Sequence, residues 1–275
     1  MMMIYSLQRT PDWLIQCALV LVSGYVGCLL SALITHLPQN ILDNKEYSLI
    51  MLRSFCPQCR KKIHWHNHLP ILAYFLRKKT QARLHCDHKI IAQQKVLYVL
   101  ITILISLIVY QLIGPRYRMF SGLVLSWWLI ALCAIDLKHY LLPDQLTLSL
   151  LWIGLFINLH GFLTPLQDAV TGAVLGYGIC WLIDTLYYTI RKKNGFGQGD
   201  WKLLAALGAW FGVGSVFYLL AIAALVGAFF GIIGLLNKKL KMASMIPFGP
   251  FLCIAGWLWF FLGKQYAHLL FSFSL

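Results

Sequence analysis

The chain is poor in acid, with only nine acidic residues: Asp12, Asp43, Glu46, Asp87, Asp136, Asp144, Asp168, Asp184 and Asp200. Two of them stand where chemistry is expected. Asp136 closes one apolar run, and Asp200 opens another directly after Gly195-Phe196-Gly197-Gln198-Gly199. A carboxylate at the end of a membrane helix is costly unless it is solvated, paired or used. Two of them on one side of a bilayer are what an aspartyl protease working in or at a membrane needs.

The elements that must position these acids are membrane helices. Hydrophobic residues make up 60% of the chain and charged residues 12%, against roughly 25% charged in soluble domains. Runs near the ~20 residues that span hydrocarbon recur along the sequence. Eight are read, at about 13–35, 96–114, 119–136, 144–163, 166–189, 201–215, 216–236 and 246–263. The sixth and eighth are short or interrupted by Gly and Pro. The first is too long for a signal-peptide core and lacks a small-x-small cleavage site, so it is expected to be a retained anchor. The expected fold class is an all-α polytopic membrane protein of about eight transmembrane helices with one small cytoplasmic, zinc-binding segment. Three parts follow: an N-terminal anchor at 1–36, a polar Cys/His-containing segment at 37–94 and a seven-helix core at 95–275.

The net charge of +14 does not point to nucleic acid, because Lys and Arg sit between the spans as the positive-inside rule expects. The 53–95 stretch is rich in them, from Arg53 and Arg60 to Lys89 and Lys95. It is expected in the cytoplasm. Lys138 with His139, Arg191-Lys192-Lys193 and Lys238-Lys239-Lys241 then fall on the same side, and the opposite loops hold only Arg116, Arg118 and Lys264. Both termini are placed outside the cytoplasm. Basic loops of this kind attract anionic lipid head groups.

This topology puts Asp136 and Asp200 in successive cytoplasmic turns, joined by one helical hairpin that returns the chain to its starting side. Glycines 195, 197 and 199 permit unusual backbone angles and close approach of another backbone. An extended segment there, with Gly197 and Gly199 beside the acid, is expected to dock a substrate peptide. Capping is the competing reading. Asp200 fits the N-cap of the sixth helix, and Asp144, after Pro143, fits a first helical turn. That reading is weakest for Asp136, because an acid at a helix C-terminus opposes the dipole. Lys202 is placed to bias the acid pair, although a lysine at a helix end is more often a lipid or solvent contact. Asp168 reads as a first-turn acid on the outer side, and Asp184 has no firm account. Gly172-x-x-x-Gly176, with Ala223, Gly227 and Gly231, reads as helix packing.

Several blocks occur in order: Asp136; Leu142-Pro143-Asp144-Gln145-Leu146-Thr147-Leu148; Leu151-Trp152-Ile153-Gly154-Leu155; Gly197-Gln198-Gly199-Asp200-Trp201-Lys202 through Trp210; and Ile246-Pro247-Phe248-Gly249-Pro250-Phe251. Together they resemble the type IV prepilin peptidases, leader peptidases and N-methyltransferases of the GxGD aspartyl class. The resemblance runs from about residue 24 to 263. It implies cleavage of a short basic leader after a glycine, at the cytoplasmic face of a bacterial inner membrane. The substrates would be prepilins and the pilin-like subunits of type II secretion. The new N-terminal amine would then be methylated with S-adenosylmethionine as donor; no residues for that cofactor are placed. The family's catalytic aspartates map onto Asp136 and Asp200, with Gly197, Gly199, Lys202 and Asp144 in support. Two nearby carboxyls do not readily both ionise, so one keeps a proton near neutral pH. The ionised acid would activate water while the protonated one polarises the carbonyl.

In the polar segment, Cys56-Pro57-Gln58-Cys59 is half of a zinc-knuckle pattern. Thiols in a reducing compartment favour a metal over a disulfide. The resembled family often carries a second C-x-x-C, which here reads Cys86-Asp87-His88-Lys89. Zinc would be held by Cys56, Cys59, Cys86 and a histidine, His88 or His85; otherwise the site is degenerate and empty. Ser31 and His36 stand where the family usually has an asparagine and an arginine. With the broken cysteine pair, these departures bear on the methyltransferase half rather than the peptidase half. A peptidase without methylation is the narrower alternative. A transporter with a discontinuous helix and a non-enzymatic assembly factor are the alternatives from other classes. The sequence assigns no oligomeric state.

Overall fold

The computed structural model describes residues 11–42, 88–115, 117–192, 197–237 and 247–271. Eight α-helices and no strand occur among them: α1 (Asp12–Leu42), α2 (His88–Ile113), α3 (Tyr117–His139), α4 (Asp144–Asn158), α5 (Leu166–Arg191), α6 (Gln198–Phe211), α7 (Val213–Leu236) and α8 (Gly249–Phe271). Each expected apolar run overlaps a helix, although the bounds differ. Cys56, Cys59 and Cys86 lie outside the described residues, and His88 enters only as the first backbone position of α2.

Five helices carry stretches long and apolar enough to cross a membrane: Asp12–Thr35, Gln94–Ile113, Arg118–His139, Leu166–Arg191 and Val213–Leu236. The chain is a multi-pass membrane protein. Two of the other helices are short. At 15 and 14 residues, α4 and α6 rise only about 21–23 Å, short of a ~30 Å hydrocarbon core. The sixth run was expected to be short; the fourth also stops early, at Asn158. The boundary between the sixth and seventh runs falls at Gly212, not after Ser215. Gly212 has φ +84° and ψ 173°, a backbone that other residues rarely adopt, so α6 ends there and α7 starts one residue later.

The chain divides into two compact units at Trp127 and Trp128. In the first, α1 lies antiparallel to α2. A side chain at Gly27 would meet the Val99 Cα at 2.9 Å, so the glycine sets how closely the two helices approach. Nearer their ends, the Tyr110 hydroxyl donates to Asp12 Oδ1 at 3.1 Å. The Trp127 Nε1–H donates to Ser106 Oγ at 3.0 Å.

The second unit is built around α6, whose residues from Leu203 to Trp210 are all buried. α5 packs against it through small residues. A Cβ at Gly172 would meet the Gly208 carbonyl oxygen at 2.6 Å, and one at Gly176 the Leu204 carbonyl oxygen at 2.7 Å. Four residues forward on α5 thus match four residues back on α6, so the helices are antiparallel in a close small-residue seam. On its other side, α6 runs parallel to α4. The Trp210 Nε1–H donates to the Leu150 carbonyl at 2.9 Å, and the ring lies against Gly154. Buried Asn158 closes the far end. Its Nδ2 donates to the carbonyls of Ala209 and Trp210, at 2.9 and 3.1 Å. Its Oδ1 accepts from the amides of Leu163 and Thr164, at 3.1 and 3.2 Å. One side chain therefore satisfies the end of α6 and the turn after α4.

Candidate active site

The parallel course of α4 and α6 puts both of their N-termini at one end of the second unit. α3 ends there too, because a short turn carries its chain directly into α4. The turn is closed by the Tyr140 amide, which donates to the Asp136 carbonyl at 2.9 Å. Tyr140 has φ +52°, an angle that L-residues seldom adopt. Pro143 then sits extended at the N-cap of α4. Asp136, Asp144 and Asp200 are thereby gathered at the same end, as the order of spans predicts.

Asp136 and Asp200 are both buried, at 5% and 7% exposure, and Asp136 acts electrostatically on Asp200. Each carboxylate is met by the amide at the start of a helix. The Gly197 N–H donates to Asp200 Oδ2 at 3.2 Å, and the Gly249 N–H donates toward Asp136. Helix N-termini favour anions. For Asp136 this offsets the unfavourable end of its own helix, an offset the sequence reading lacked. Asp200 does take a capping role, but from the third helical position, with Gly197 at the N-cap. Its side chain supplies the reaching-back half of a capping box.

The glycines divide into two kinds. Gly197 is extended, at φ −75° and ψ 141°, as expected of a docking strand. Gly199 is not. It lies inside α6, and a Cβ there would meet the Leu142 Cβ at 2.6 Å. Its smallness serves packing of the α3–α4 turn rather than an extended segment. Gly195 lies outside the described residues.

Lys202 also departs from expectation. Its Nζ pairs with Asp144 Oδ1 at 2.6 Å, so it is an ion-pair partner rather than a free lipid or solvent contact. Successive helical residues turn by about 100°, so Lys202 points well away from the direction of Asp200 and toward α4. Through this pair Asp144 ties the start of α4 to α6.

Three cysteines complete the surroundings. Cys133 of α3 interacts with Asp136, Cys180 of α5 with Asp200, and Cys253 of α8 with both acids. Cys180 follows Gly172 and Gly176 at helical spacing, so the α5–α6 seam ends against Asp200. Asp184, one turn further on, is buried on the same stripe. Asp168 lies in the first turn of α5, near Gly212 at the opposite end.

The sequence reading assigned no role to Gly249 or Leu142. A Cβ at Gly249 would meet Asp136 Oδ2 at 2.6 Å and Leu142 Cδ1 at 3.1 Å. The signal available was the Pro247-Phe248-Gly249-Pro250 run at the head of an apolar stretch, where a proline in the first turn costs no hydrogen bond. Among the described residues no group of three His, Cys, Asp or Glu is placed to hold a metal. The first-span hydroxyls of Ser23, Ser31 and Thr35 donate to carbonyls of their own helix, so no set of residues is assigned to a methyl donor. Two buried carboxyls, each met by the amide at a helix start, are groups that can exchange protons with a water in peptide hydrolysis without a metal.

The Type IV leader peptidase family matches residues 123–232, and the bacterial peptidase A24 N-terminal domain matches residues 21–112. The chain is 42% identical to a prepilin leader peptidase/N-methyltransferase of Aeromonas salmonicida over 216 residues, 78% of this chain and 73% of that one. Relatives with the same description are 37% identical in Xanthomonas campestris, over 82% of this chain and 78% of the relative, and 34% identical in Stutzerimonas stutzeri, over 94% of both. No solved structure matches. Identity at these levels, sustained along both chains, makes this protein a member of the type IV leader peptidase family.

Proposed function

We infer that this protein removes the leader peptide from prepilins and pilin-like secretion subunits and then N-methylates the new N-terminus. The observation that carries the peptidase assignment is the buried pair Asp136 and Asp200, each facing a helix-start amide, with Asp136 acting electrostatically on Asp200. In this reading the ionised member removes a proton from water as its oxygen attacks the scissile carbonyl. The protonated member hydrogen-bonds the carbonyl oxygen. The tetrahedral intermediate then collapses, the C–N bond breaks and the leaving amine takes up a proton. The pair titrates as a unit, so the two roles belong to the dyad rather than to fixed residues.

The wider reading places Asp136 and Asp200 at the cytoplasmic face of a bacterial inner membrane, within a peptidase core at 95–275, with basic loops against anionic lipid. Zinc bound by Cys56, Cys59, Cys86 and His88 would staple the polar segment; a segment of that size needs such a staple to fold. S-adenosylmethionine, when bound, supplies the methyl group. Mass measurement on a prepilin co-expressed with this protein tests the assignment. The expected product has lost its leader and gained one methyl. A leader-free product without the methyl removes the transferase half. An unchanged prepilin, with the protein folded in the membrane, overturns the whole reading.

A further inference from the structure

Nothing assigned so far accounts for what holds the two acids at a working separation. They sit on different helices, and α3, which bears Asp136, reaches the α6 end of the site through the turn at 140–143. One side chain of that turn, Leu142, is buried and touches both acid-bearing neighbourhoods. On one side its Cβ would stand 2.6 Å from a Cβ placed on Gly199, the residue before Asp200. On the other, its Cδ1 would stand 3.1 Å from a Cβ placed on Gly249, whose amide faces Asp136. Both helix starts are glycines at the points of contact, so the leucine lies directly on backbone.

We propose that Leu142 is a positioning residue, a wedge seated between Gly199 and Gly249 that sets the spacing of the Asp136–Asp200 pair. The inference rests on the acid-pair reading of the site. Its physical basis is packing density. An interior side chain in contact with backbone on two sides cannot shrink without the walls moving inward or leaving a void. Either outcome displaces the Gly249 amide from Asp136 or turns the first turn of α6, which carries Asp200. Leu142 touches no reacting atom, so its loss alters the chemical step rather than substrate binding. The Asp144–Lys202 pair holds the next residues of the same turn to α6 and keeps the wedge in place. Among the described residues, Cys133, Cys180 and Cys253 are the titratable groups that interact with the acids from the neighbouring helices.

The test compares Leu142→Ala, Leu142→Met, Gly249→Ala and Leu219→Ala in the full-length protein, with prepilin cleavage measured at matched membrane levels. Leu219 is a fully buried leucine of α7 and reports the cost of an ordinary core cavity. Leu142→Ala is expected to lower kcat by on the order of a hundredfold with KM little changed, because small misplacements of reacting groups carry such costs. Its pH profile should shift from that of the wild type, since a changed spacing of the acids changes their coupling. Leu142→Met, which conserves volume, should restore both. Gly249→Ala should resemble Leu142→Ala. Leu219→Ala should lose stability while keeping kcat and the pH profile. If Leu142→Ala behaves like Leu219→Ala, or Leu142→Met fails to rescue, the wedge is overturned. Asp136→Asn and Asp200→Asn, run alongside, keep the two readings separate. Retained cleavage in either removes the acid pair itself, whereas loss in both with a silent Leu142→Ala removes only the wedge.

Discussion

Replacing Gly176 with alanine drives a methyl group into the α5–α6 seam. The new Cβ would lie 2.7 Å from the Leu204 carbonyl oxygen, 3.0 Å from its carbon and 3.1 Å from the Ala205 nitrogen. All three are backbone atoms, so no side chain can rotate aside. The closest contact falls about 0.7 Å short of the 3.4 Å at which ordinary contact begins, and the helices must part by a similar amount. Overpacking of this kind costs about 1–3 kcal/mol, offset by roughly 0.5–1 kcal/mol from replacing a mid-helix glycine. Asp200 lies one turn from Leu204 on the same rigid helix, so the displacement reaches the acid. Cleavage should therefore fall by about tenfold to a hundredfold, the scale expected of sub-ångström to ångström misplacement. Gly178 supplies the control within α5, because a Cβ there meets nothing within 4 Å. Thermal unfolding in detergent and prepilin cleavage in membranes measure the two effects. Gly178→Ala should be neutral or stabilising and fully active. Equal stability and equal cleavage in the two variants would refute the claim that this seam positions Asp200.

Asp136→Asn and Asp200→Asn are each expected to abolish cleavage, and the double variant to be no worse than either, as for residues acting as one unit. Asp144→Asn should only weaken it, because its partly exposed pair with Lys202 is worth about 0–1 kcal/mol; near-normal cleavage by Asp136→Asn with none by Asp144→Asn would move the catalytic role to Asp144. Asn158→Leu should lower the unfolding temperature markedly, since it strands buried groups at a cost of about 1–3 kcal/mol each, and an unchanged melting curve would contradict the role given to that side chain. A cysteine placed at position 193 should resist an impermeant reagent in sealed cells; labelling from outside would invert the orientation. Cys56→Ser should release one zinc per chain by elemental analysis, and metal-free wild-type protein would end that proposal.

The sequence by itself determined the helices, their order and the end at which the acids meet. Long apolar runs have few alternatives in lipid, where every backbone group must bond within its own segment, and the helical hairpin between Asp136 and Asp200 returns the chain to its starting side. Gly172 and Gly176 were likewise legible as packing positions, because small residues at four-residue spacing mark one helix face. Other features depended on how the helices are rotated and staggered, which hydrophobic periodicity does not encode in helices apolar nearly all round. The pairing of Lys202 with Asp144, the helical state of Gly199 and the burial of Asp184 on the seam are of that kind. So is the seating of Leu142 between Gly199 and Gly249. Tertiary structure alone decided these contacts, because each joins residues distant in the chain through close side-chain or backbone approach, and such contacts become defined only once the helices have docked.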